Sequence, residues 1–483
     1  MLSFQSIEEY HTLLRNGQIT CVEAVSYYLK KIFAISQLNA WLEVFEAEAL
    51  ERAESLDKER QSGAVLGKLH GVIIGLKDVI CFKDHKVSAS SRILEGFTSV
   101  YNATATQRLI DEGAIIIGRQ NCDEFAMGSS NENSAFGAVK NAIDEERVPG
   151  GSSGGSAVAV QTGSCMISLG SDTGGSVRQP ADFCGIVGLK PSYGAISRYG
   201  LIAYASSFDQ IGIFGKAVED VALVLDVIAG PDEFDSTAYQ KINSGLGDKA
   251  FTDQKYRICY FRNALEHSSL DPTISGEIKG FISKLTTAGH EPEGIDFELF
   301  DYIVPAYYIL TTAEASSNLS RYDGIKYGYR NNEKKYSLTE LYTASRSRGF
   351  GPEVKRRILL GTFVLSEGYY DAYFSKAQKV RKLLVEKTRA IFKEYDAIIL
   401  PTVPAPAYKI GEKKDPVEIF LADIYTVYAN LAGIPAISLP LFKNAQGLPF
   451  GLQVMVPQHN EAFLLHLSKL FMQMKEPVMQ TTV

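Results

Sequence analysis

Two short clusters rich in glycine and serine are the part of this sequence best suited to chemistry. The first is GGSSGGS at residues 150–156, and the second is GGS at residues 174–176. Each is followed by residues that can begin a helix, so backbone N–H groups and hydroxyls would gather at a helix N-terminus with no Cβ in the way. Such an arrangement can stabilise negative charge that develops on a substrate oxygen.

Two alternative interpretations of the first cluster are disfavoured. A flexible linker has the same composition, but linkers join domains, whereas this cluster runs directly into the apolar residues 157–160. The cluster also satisfies G-x-S-x-G, the nucleophile elbow of the α/β-hydrolases. That motif needs a preceding strand, and residues 138–149 lack the pattern of a strand.

A lysine is the candidate base for these serines. A serine hydroxyl is a weak nucleophile at neutral pH and needs a base within hydrogen-bond reach. Lys77 lies inside the apolar run GVIIGLKDVI, where burial would lower its pKa toward neutrality. Without the serine clusters, a lysine that reaches water from a strand end would be the simpler interpretation. None of the seven histidines accompanies small residues and an acid in the sequence, so a histidine base is disfavoured.

These residues resemble the amidase signature family, whose catalytic set is Ser-Ser-Lys. The resemblance implies that Ser176 is the nucleophile, that Ser152 is a bridging serine after a cis peptide, and that Lys77 is the base. Neutral Lys77 would accept a proton from Ser152 while Ser152 accepts one from Ser176. The implied oxyanion hole consists of the backbone N–H groups of Thr173, Gly174, Gly175 and Ser176.

The whole chain is similar to family members that hydrolyse glutamine so that glutamate on tRNA(Gln) can be amidated. A site for zwitterionic glutamine needs a cation for the α-carboxylate and an acid for the α-ammonium. The resemblance places the cation at Arg356 and the acid at Asp423, with Tyr307 lining the pocket and residues 121–137 forming a wall. Arg357 is the alternative cation, because adjacent helical residues point about 100° apart and only one of the two can face the pocket.

The resemblance also implies that other chains complete the reaction. No G-x-x-x-x-G-K-[ST] motif occurs, so ATP activation would take place elsewhere. A B subunit would use ATP and Mg²⁺, bind most of the tRNA, and receive ammonia through an internal channel. A small C subunit would wrap the junction of the A and B subunits, which makes a heterotrimer. This chain would need no cofactor or metal of its own.

Two other functions are compatible with the family resemblance. A free-standing amidase would use the same serines on another small amide, and a non-catalytic scaffold would keep only the fold. The presence of Lys77, Ser152 and Ser176 counts against the scaffold. Arg356 with Asp423 counts against a general amidase, because both charges suit glutamine.

The composition of the chain indicates which binding partners and which cellular compartment to expect. The net charge is −7 and no long basic run occurs, so nucleic acid is not expected to be bound by this chain alone. The six cysteines lack C-x-x-C pairing, and several lie in apolar runs, which predicts a reducing compartment and no zinc site. No signal-like start and no run of eighteen apolar residues occur, so we expect a cytoplasmic protein with no membrane contact.

The order of apolar runs predicts an α/β fold. Strand-like and helix-like segments alternate, which favours an amidase-signature fold with a central mixed β-sheet covered by α-helices on both faces. We expect a single domain over residues 1–483. Its parts would be a helical packing or docking segment at 1–65, a signature core at about 65–215 and an exposed connection at about 231–255.

Local patterns predict particular elements. Capping-box sequences predict three helices within residues 6–60. Residues 325–350 are rich in Tyr, Arg and Asn and are expected to form a loop or lid. A long helix is predicted over residues 353–393, interrupted near Gly361 or Gly368 because glycine weakens a helix interior.

Overall fold

The computed structural model describes Phe4 and residues 6–240, 245–246, 254–333, 335–413 and 415–475. Residues 241–244 and 247–253, which make up much of the expected connection at 231–255, lie outside the described residues. The strands are β1 Trp41–Val44, β2 Ile73–Lys77, β3 Ile115–Gln120, β4 Ile167–Asp172, β5 Val187–Lys190, β6 Gln210–Gly215, β7 Arg257–Phe261, β8 Glu291–Ile295, β9 Ala397–Pro401, β10 Ala436–Lys443 and β11 Pro449–Met455. The helices are α1 Ile7–Arg15, α2 Cys21–Ala34, α3 Glu46–Gln61, α4 Thr104–Asp111, α5 Gly154–Gln161, α6 Arg178–Cys184, α7 Val218–Ile228, α8 Arg262–Leu265, α9 Pro272–Thr287, α10 Ile303–Asn318, α11 Leu338–Gly349, α12 Pro352–Val364, α13 Lys376–Ile391, α14 Pro416–Leu421, α15 Val427–Ala432 and α16 Glu461–Gln473.

The strands described here form one mixed sheet of 11 strands. Their order is β1-β3-β2-β4-β6-β5-β10-β11-β9-β7-β8. Strand β2 pairs in parallel with β3 and with β4, and β7 pairs in parallel with β8 and with β9. The pairs in between are antiparallel, so strands from the first half of the chain join strands from the second half in one continuous sheet. The predicted mixed sheet is confirmed, and the single-domain organisation stays a prediction.

Both faces of the sheet are buried by helices. Successive side chains of a strand point to opposite faces, and here Ile73 packs with α2, α3 and α5, whereas its neighbour Ile74 packs in the cluster that includes α4, α7 and α10. Ile115 and Ile116 are divided between the two clusters in the same way. The strands of a sheet buried on both faces are therefore nearly all apolar, and the predicted layers are confirmed.

The N-terminal region contains the three predicted helices, α1 to α3. The Ser6 side chain caps α1 by accepting a hydrogen bond from the Glu9 N–H. At α2, the Thr20 side chain accepts a hydrogen bond from the Glu23 N–H and the Glu23 side chain accepts one from the Thr20 N–H, which is a capping box. Strand β1 was not predicted. It is only four residues long and lies at the sheet edge, where it pairs with β3.

For the second half of the chain, the prediction of a loop needs correction, and the prediction of an interrupted helix is confirmed at one of its two candidate positions. Residues 325–350 are not a continuous loop, because α11 occupies the second part and begins with a capping box between Ser337 and Glu340. The helix predicted over 353–393 is interrupted at 365–370, and Gly368 in the break has a φ of 84°. Gly361 does not break the helix. It lies within α12, where a Cβ would overlap the Thr312 carbonyl of α10, so glycine permits the close packing of the two helices.

Among the described residues, no helix is both long enough and apolar enough to cross a membrane.

Candidate functional site

Lys77 ends strand β2 in the middle of the sheet and is fully buried. Its Nζ lies 2.7 Å from the Ser152 Oγ and 2.8 Å from the Ser171 Oγ. Burial lowers the pKa of Lys77 from 10.5 to about 8, although Cys122 and the carboxylates of Asp123 and Asp172 oppose the shift. An amine that titrates near neutrality can accept a proton from a hydroxyl.

Ser152 lies just before α5, in the loop formed by the first glycine and serine cluster. The peptide bond between Gly151 and Ser152 is cis, as the family resemblance implies. The Ser152 carbonyl accepts a hydrogen bond from the Asp123 N–H at 3.0 Å, and the Gly151 N–H donates to the Gln179 Oε1 at 3.1 Å. These contacts fix the backbone on both sides of the hydroxyl that faces Lys77.

The second cluster forms a tight loop between β4 and α6. Ser176 is 7% exposed, and its carbonyl accepts a hydrogen bond of 3.3 Å from the Ser153 N–H, so the two clusters touch. A Cβ at Gly174 would overlap the Tyr307 ring, and a Cβ at Gly175 would overlap Thr426. Glycine is therefore required at both positions. Among the described residues, the hydroxyls of Ser152 and Ser176 do not form a hydrogen bond with each other.

A buried ion pair holds the loop of Ser176 in place. The Asp172 carboxylate accepts hydrogen bonds from the N–H groups of Gly175 and Val177 at 2.9 and 3.1 Å. The Arg178 guanidinium lies 2.9 Å from the same carboxylate, and both side chains are fully buried. Burial alone would raise the pKa of Asp172, but Arg178 outweighs it and holds that pKa well below its usual range. Asp172 is thus an ionised anchor for the turn.

Asp423 marks a second polar region beside this loop. It is 7% exposed, and its carboxylate accepts hydrogen bonds from the Ser129 Oγ at 2.9 and 3.0 Å and from the Tyr308 hydroxyl at 2.7 Å. Burial raises the pKa of Asp423 to about 6, against the effect of these two donors. The residue is ionised at pH values above about 6 and is available to a cation.

The two neighbouring arginines of α12 point in different directions. Arg357 is 3% exposed and donates to the Glu353 Oε1 at 2.8 Å and to the Tyr204 hydroxyl at 2.8 Å. Its guanidinium lies 5.5 Å from the ring centre of Tyr308, the residue that bonds Asp423. The Arg356 side chain is 46% exposed and pairs with Glu353. Arg357 is therefore the arginine of the inner pocket, and Arg356 lies at its outer edge.

The described residues do not bring potential metal-ligand side chains together in one place. No cluster of three or more His, Cys, Asp or Glu side chains is found there that could hold a metal ion. All six cysteines are buried and free of disulfides.

Comparison with known proteins shows which family the chain is similar to. The sequence profile named Amidase matches residues 23–465. The chain is 47% identical over 473 residues to the A subunit of the glutamyl-tRNA(Gln) amidotransferase of Chlorobium phaeobacteroides strain BS1, and the match covers 96% of this chain and 98% of that protein.

The chain belongs to the amidase family.

Solved structures of amidase-family proteins share the fold. The A subunit of the glutamyl-tRNA(Gln) amidotransferase of Thermotoga maritima is 36% identical and superposes with a TM-score of 0.77, covering 97% of this chain and 94% of that one. An amidase that is 27% identical superposes with a TM-score of 0.82 over 98% of this chain and all of the other. The amidase-signature fold predicted from the sequence is confirmed.

The amidase site gathers most of the predicted residues. Lys77 and Ser152 are in contact, and the loop of Ser176 touches the loop of Ser152. Tyr307 packs against Gly174, and Asp423 lies at the adjoining pocket. Arg356 is the exception, because its position on α12 turns it toward solvent while Arg357 points inward.

One predicted oxyanion donor already has a partner. The Gly175 N–H donates to Asp172, whereas the N–H groups of Thr173, Gly174 and Ser176 donate to no residue that the structure describes. The predicted oxyanion hole stays a prediction, with three of its four N–H groups lacking a partner among the described residues.

Several functional contacts were not predicted from the sequence. Ser171 is the second hydroxyl partner of Lys77, and Tyr308 and Ser129 hold Asp423. Ser171 and Asp172 end β4 and are separated from the second cluster only by Thr173, so their closeness to the cluster in the sequence could have drawn attention to them. The partners of Asp423 come from distant segments, and no sequence spacing relates them.

The buried ion pair gives a test of the amidase loop. Replacement of Asp172 by Ala leaves the Arg178 guanidinium buried and without its carboxylate, so we expect the free energy of unfolding to fall by about 3–5 kcal/mol. Chemical denaturation measures this change. The control is Glu8→Ala, which removes the exposed pair with Arg15 and should change stability by less than about 1 kcal/mol. A loss at Asp172 no larger than that of the control would contradict the anchoring role.

Proposed function

We propose that this chain hydrolyses glutamine, with Ser176 as nucleophile, Ser152 as bridging serine and Lys77 as base. The ammonia serves the amidation of glutamate on tRNA(Gln) by a partner chain. The observation that carries the proposal is the buried Lys77 in contact with Ser152, next to the glycine-rich loop of Ser176. The relatives named as A subunits of glutamyl-tRNA(Gln) amidotransferases support the choice of substrate.

The chemistry begins with two proton transfers. Neutral Lys77 accepts the proton of the Ser152 hydroxyl, and Ser152 accepts the proton of Ser176, whose oxygen attacks the side-chain amide carbon of glutamine. The proton returns along the same path to the leaving nitrogen, ammonia departs, and a glutamyl ester remains on Ser176. Water, deprotonated by the same relay, then hydrolyses the ester to glutamate.

Backbone N–H groups stabilise the intermediate. The three donors without a protein partner among the described residues, on Thr173, Gly174 and Ser176, are the candidates for the negative oxygen of the tetrahedral intermediate. The Gly175 N–H contributes indirectly, because its hydrogen bond to Asp172 keeps the turn in shape. Preorganised donors act strongly because they need no reorientation during the reaction.

Substrate selection comes from the two charges of the pocket. Arg357 would bind the α-carboxylate of glutamine, and the Asp423 carboxylate would bind the α-ammonium. Tyr307 would form the wall between these charges and the oxyanion loop, since it packs against Gly174. Buried charges of both signs favour a zwitterion over a neutral amide, which separates this proposal from that of a free-standing amidase.

A partner protein would supply the rest of the reaction. We infer a B subunit that uses ATP and Mg²⁺ and binds most of the tRNA, and a C subunit, so that the assembly is a heterotrimer of the cytoplasm. This chain would carry no cofactor of its own.

An exposed apolar surface supports such an assembly. The side chains of Leu359, Phe363 and Tyr370 are 70%, 43% and 45% exposed, and the rings of Phe363 and Tyr369 lie 4.3 Å apart. Contiguous exposed apolar side chains are typical of protein interaction sites. Leu359 and Phe363 lie on the opposite side of α12 from Arg357, so a partner bound there would contact the helix that carries the proposed carboxylate-binding residue.

Replacement of Ser176 by Ala tests the function directly. We expect the release of ammonia from glutamine to fall to background, because the ester can no longer form. Amidation of glutamyl-tRNA(Gln) by the assembled complex should continue when an ammonium salt is supplied. Ammonia release is measured with an enzyme-coupled assay, with Ser164→Ala, which alters a buried serine away from Lys77, as control. Turnover of glutamine by Ser176→Ala near the wild-type rate would exclude the assignment.

The proposed role of Lys77 predicts a pH dependence. Lys77 is charged below its pKa of about 8 and neutral above it, and only the neutral amine can accept a proton. The rate should therefore rise with pH up to about 8 and fall about tenfold for each unit well below that value. Steady-state rates across about pH 6–9.5 measure the profile.

The matched variant for this pH profile is Lys77→Arg. It keeps a positive charge throughout the range and should be inactive at every pH. A wild-type rate that is independent of pH between about 6 and 9, or an active Lys77→Arg enzyme, would show that Lys77 is not the base.

The charged pocket predicts a difference between two substrates. Arg357→Ala and Asp423→Ala each leave one charge of bound glutamine unpaired and should cost about 2–5 kcal/mol in kcat/KM for glutamine. Hydrolysis of butyramide, which keeps the amide but lacks both charges, should change much less. Arg356→Ala is the control and should have a small effect on both substrates. Equal losses on both substrates would assign these residues to structure, and a large loss for Arg356→Ala alone would reverse the choice of arginine.

A further inference from the structure

We propose that Glu124 is a positioning residue for glutamine. It fixes the start of α12 against the loop that supports Asp423, and so sets the separation between Arg357 and Asp423. This inference rests on the proposed function, because it concerns the same substrate pocket. Glu124 itself does not touch the substrate.

The contacts of Glu124 join two distant segments of the chain. Its side chain is buried and accepts hydrogen bonds from the Gly351 N–H at 2.8 Å to Oε2 and 3.1 Å to Oε1. The Ser91 hydroxyl donates to the Oε1 as well, and it lies 3.3 Å from the Gly349 carbonyl. A Cβ at residue 351 would overlap the Glu124 carboxylate, so glycine allows this close approach.

On one side, Glu124 belongs to the loop that holds the proposed ammonium site. This loop continues to Ser129, whose hydroxyl bonds both oxygens of Asp423. The loop has little freedom between these points, because Phe125 and Ala126 have positive φ values of 51° and 58° and the Asp123 carboxylate accepts N–H groups further along it. A shift of Glu124 would therefore be transmitted to Ser129.

On the other side, the hydrogen bond reaches the first residues of α12. Gly351 is the N-cap of this helix. Glu353 follows two residues later and accepts a hydrogen bond from Arg357 at 2.8 Å. Because a helix is a rigid element, the position of its first turn sets the position of Arg357 less than two turns away. Glu124 thus connects the supports of the two proposed substrate charges.

A carboxylate suits this position better than an amide. Both partners of Glu124 are donors, and the N-terminus of α12 favours negative charge. The charged groups that face it are Lys355 on α12 and the side chains of the adjoining cavity of about 450 Å³, which are Arg92, Glu132, Arg348 and Glu353. Burial raises the pKa of Glu124 to about 7, although the donors and Lys355 oppose this shift.

The ionised side chain does not serve stability at the pH of the reaction. A carboxyl whose pKa is raised from 4.5 to about 7 by folding makes the folded state less stable as the pH rises through that interval. Above about pH 7 the buried charge therefore costs stability relative to a neutral group of the same shape. A role in binding explains why a carboxylate is found here although its charge lowers stability above about pH 7.

The test compares Glu124→Gln with the wild type in the assembled complex at about pH 8.5, where Glu124 is ionised and Lys77 is largely neutral. We expect KM for glutamine to rise about tenfold, as loss of a hydrogen bond to a charged group implies, with kcat within about twofold. Hydrolysis of butyramide should stay unchanged, and the melting temperature should not fall, because the substitution removes a buried charge. Ser91→Ala, which removes only one donor, should raise KM by a smaller factor.

Asp220→Asn is the matched control, because Asp220 is likewise a buried carboxylate that accepts a backbone N–H at a helix start, but its partner is Ile7 of α1, outside the substrate pocket. It should leave both substrates unaffected. An unchanged KM for glutamine in Glu124→Gln would overturn the positioning role. Parallel losses on glutamine and butyramide with a lower melting temperature would also overturn it, because they indicate a structural role. A wild-type complex that does not hydrolyse glutamine would instead refute the proposed function itself.

Discussion

The proposed chemistry depends on one lysine that is kept out of water without a direct counter-ion. Lys77 lies at the end of a central strand, with β3 and β4 on either side, and its amine meets the hydroxyls of Ser152 and Ser171. Neutral hydroxyls stabilise an ammonium less than water or a carboxylate does. The neutral amine therefore becomes accessible near pH 8, where it can act as a base.

The lowered pKa of Lys77 requires that the nearby carboxylates form their hydrogen bonds and ion pairs with groups other than Lys77. Asp172 is close enough to affect the pKa of Lys77, but its oxygens are occupied by Arg178, by Asn430 and by two N–H groups of the loop of Ser176. Asp123 is likewise used by backbone N–H groups. If either acid paired directly with the lysine, the pKa of Lys77 would rise and the base would be lost. The ion pair of Asp172 and Arg178 thus supports the loop of Ser176 and also keeps Asp172 away from Lys77.

The parts of the site that were predictable from sequence are those in which a few adjacent residues determine both shape and chemistry. The two glycine and serine clusters and the apolar strand of Lys77 have this property, because glycine and burial constrain them locally. The choice between Arg356 and Arg357 could not be made, since it depends on the rotation of α12 about its axis, which its contact with α10 sets. Strand β8 was missed because its sequence EPEGI is polar and half exposed at the sheet edge, where its pairing with β7 determines its structure.

The residues proposed for substrate selection and those proposed for chemistry lie on separate parts of the fold. The groups proposed for bond cleavage lie on β2 and on the two glycine-rich loops at the sheet, whereas the charges proposed to bind glutamine come from α12 and from the segment around Asp423. The charged groups of the pocket were desolvated when the chain folded, and Arg357 is held there by Glu353 and Tyr204. Under the proposed function, a zwitterion bound between Arg357 and Asp423 would meet charges that need little further reorganisation, whereas a neutral amide would gain nothing from them.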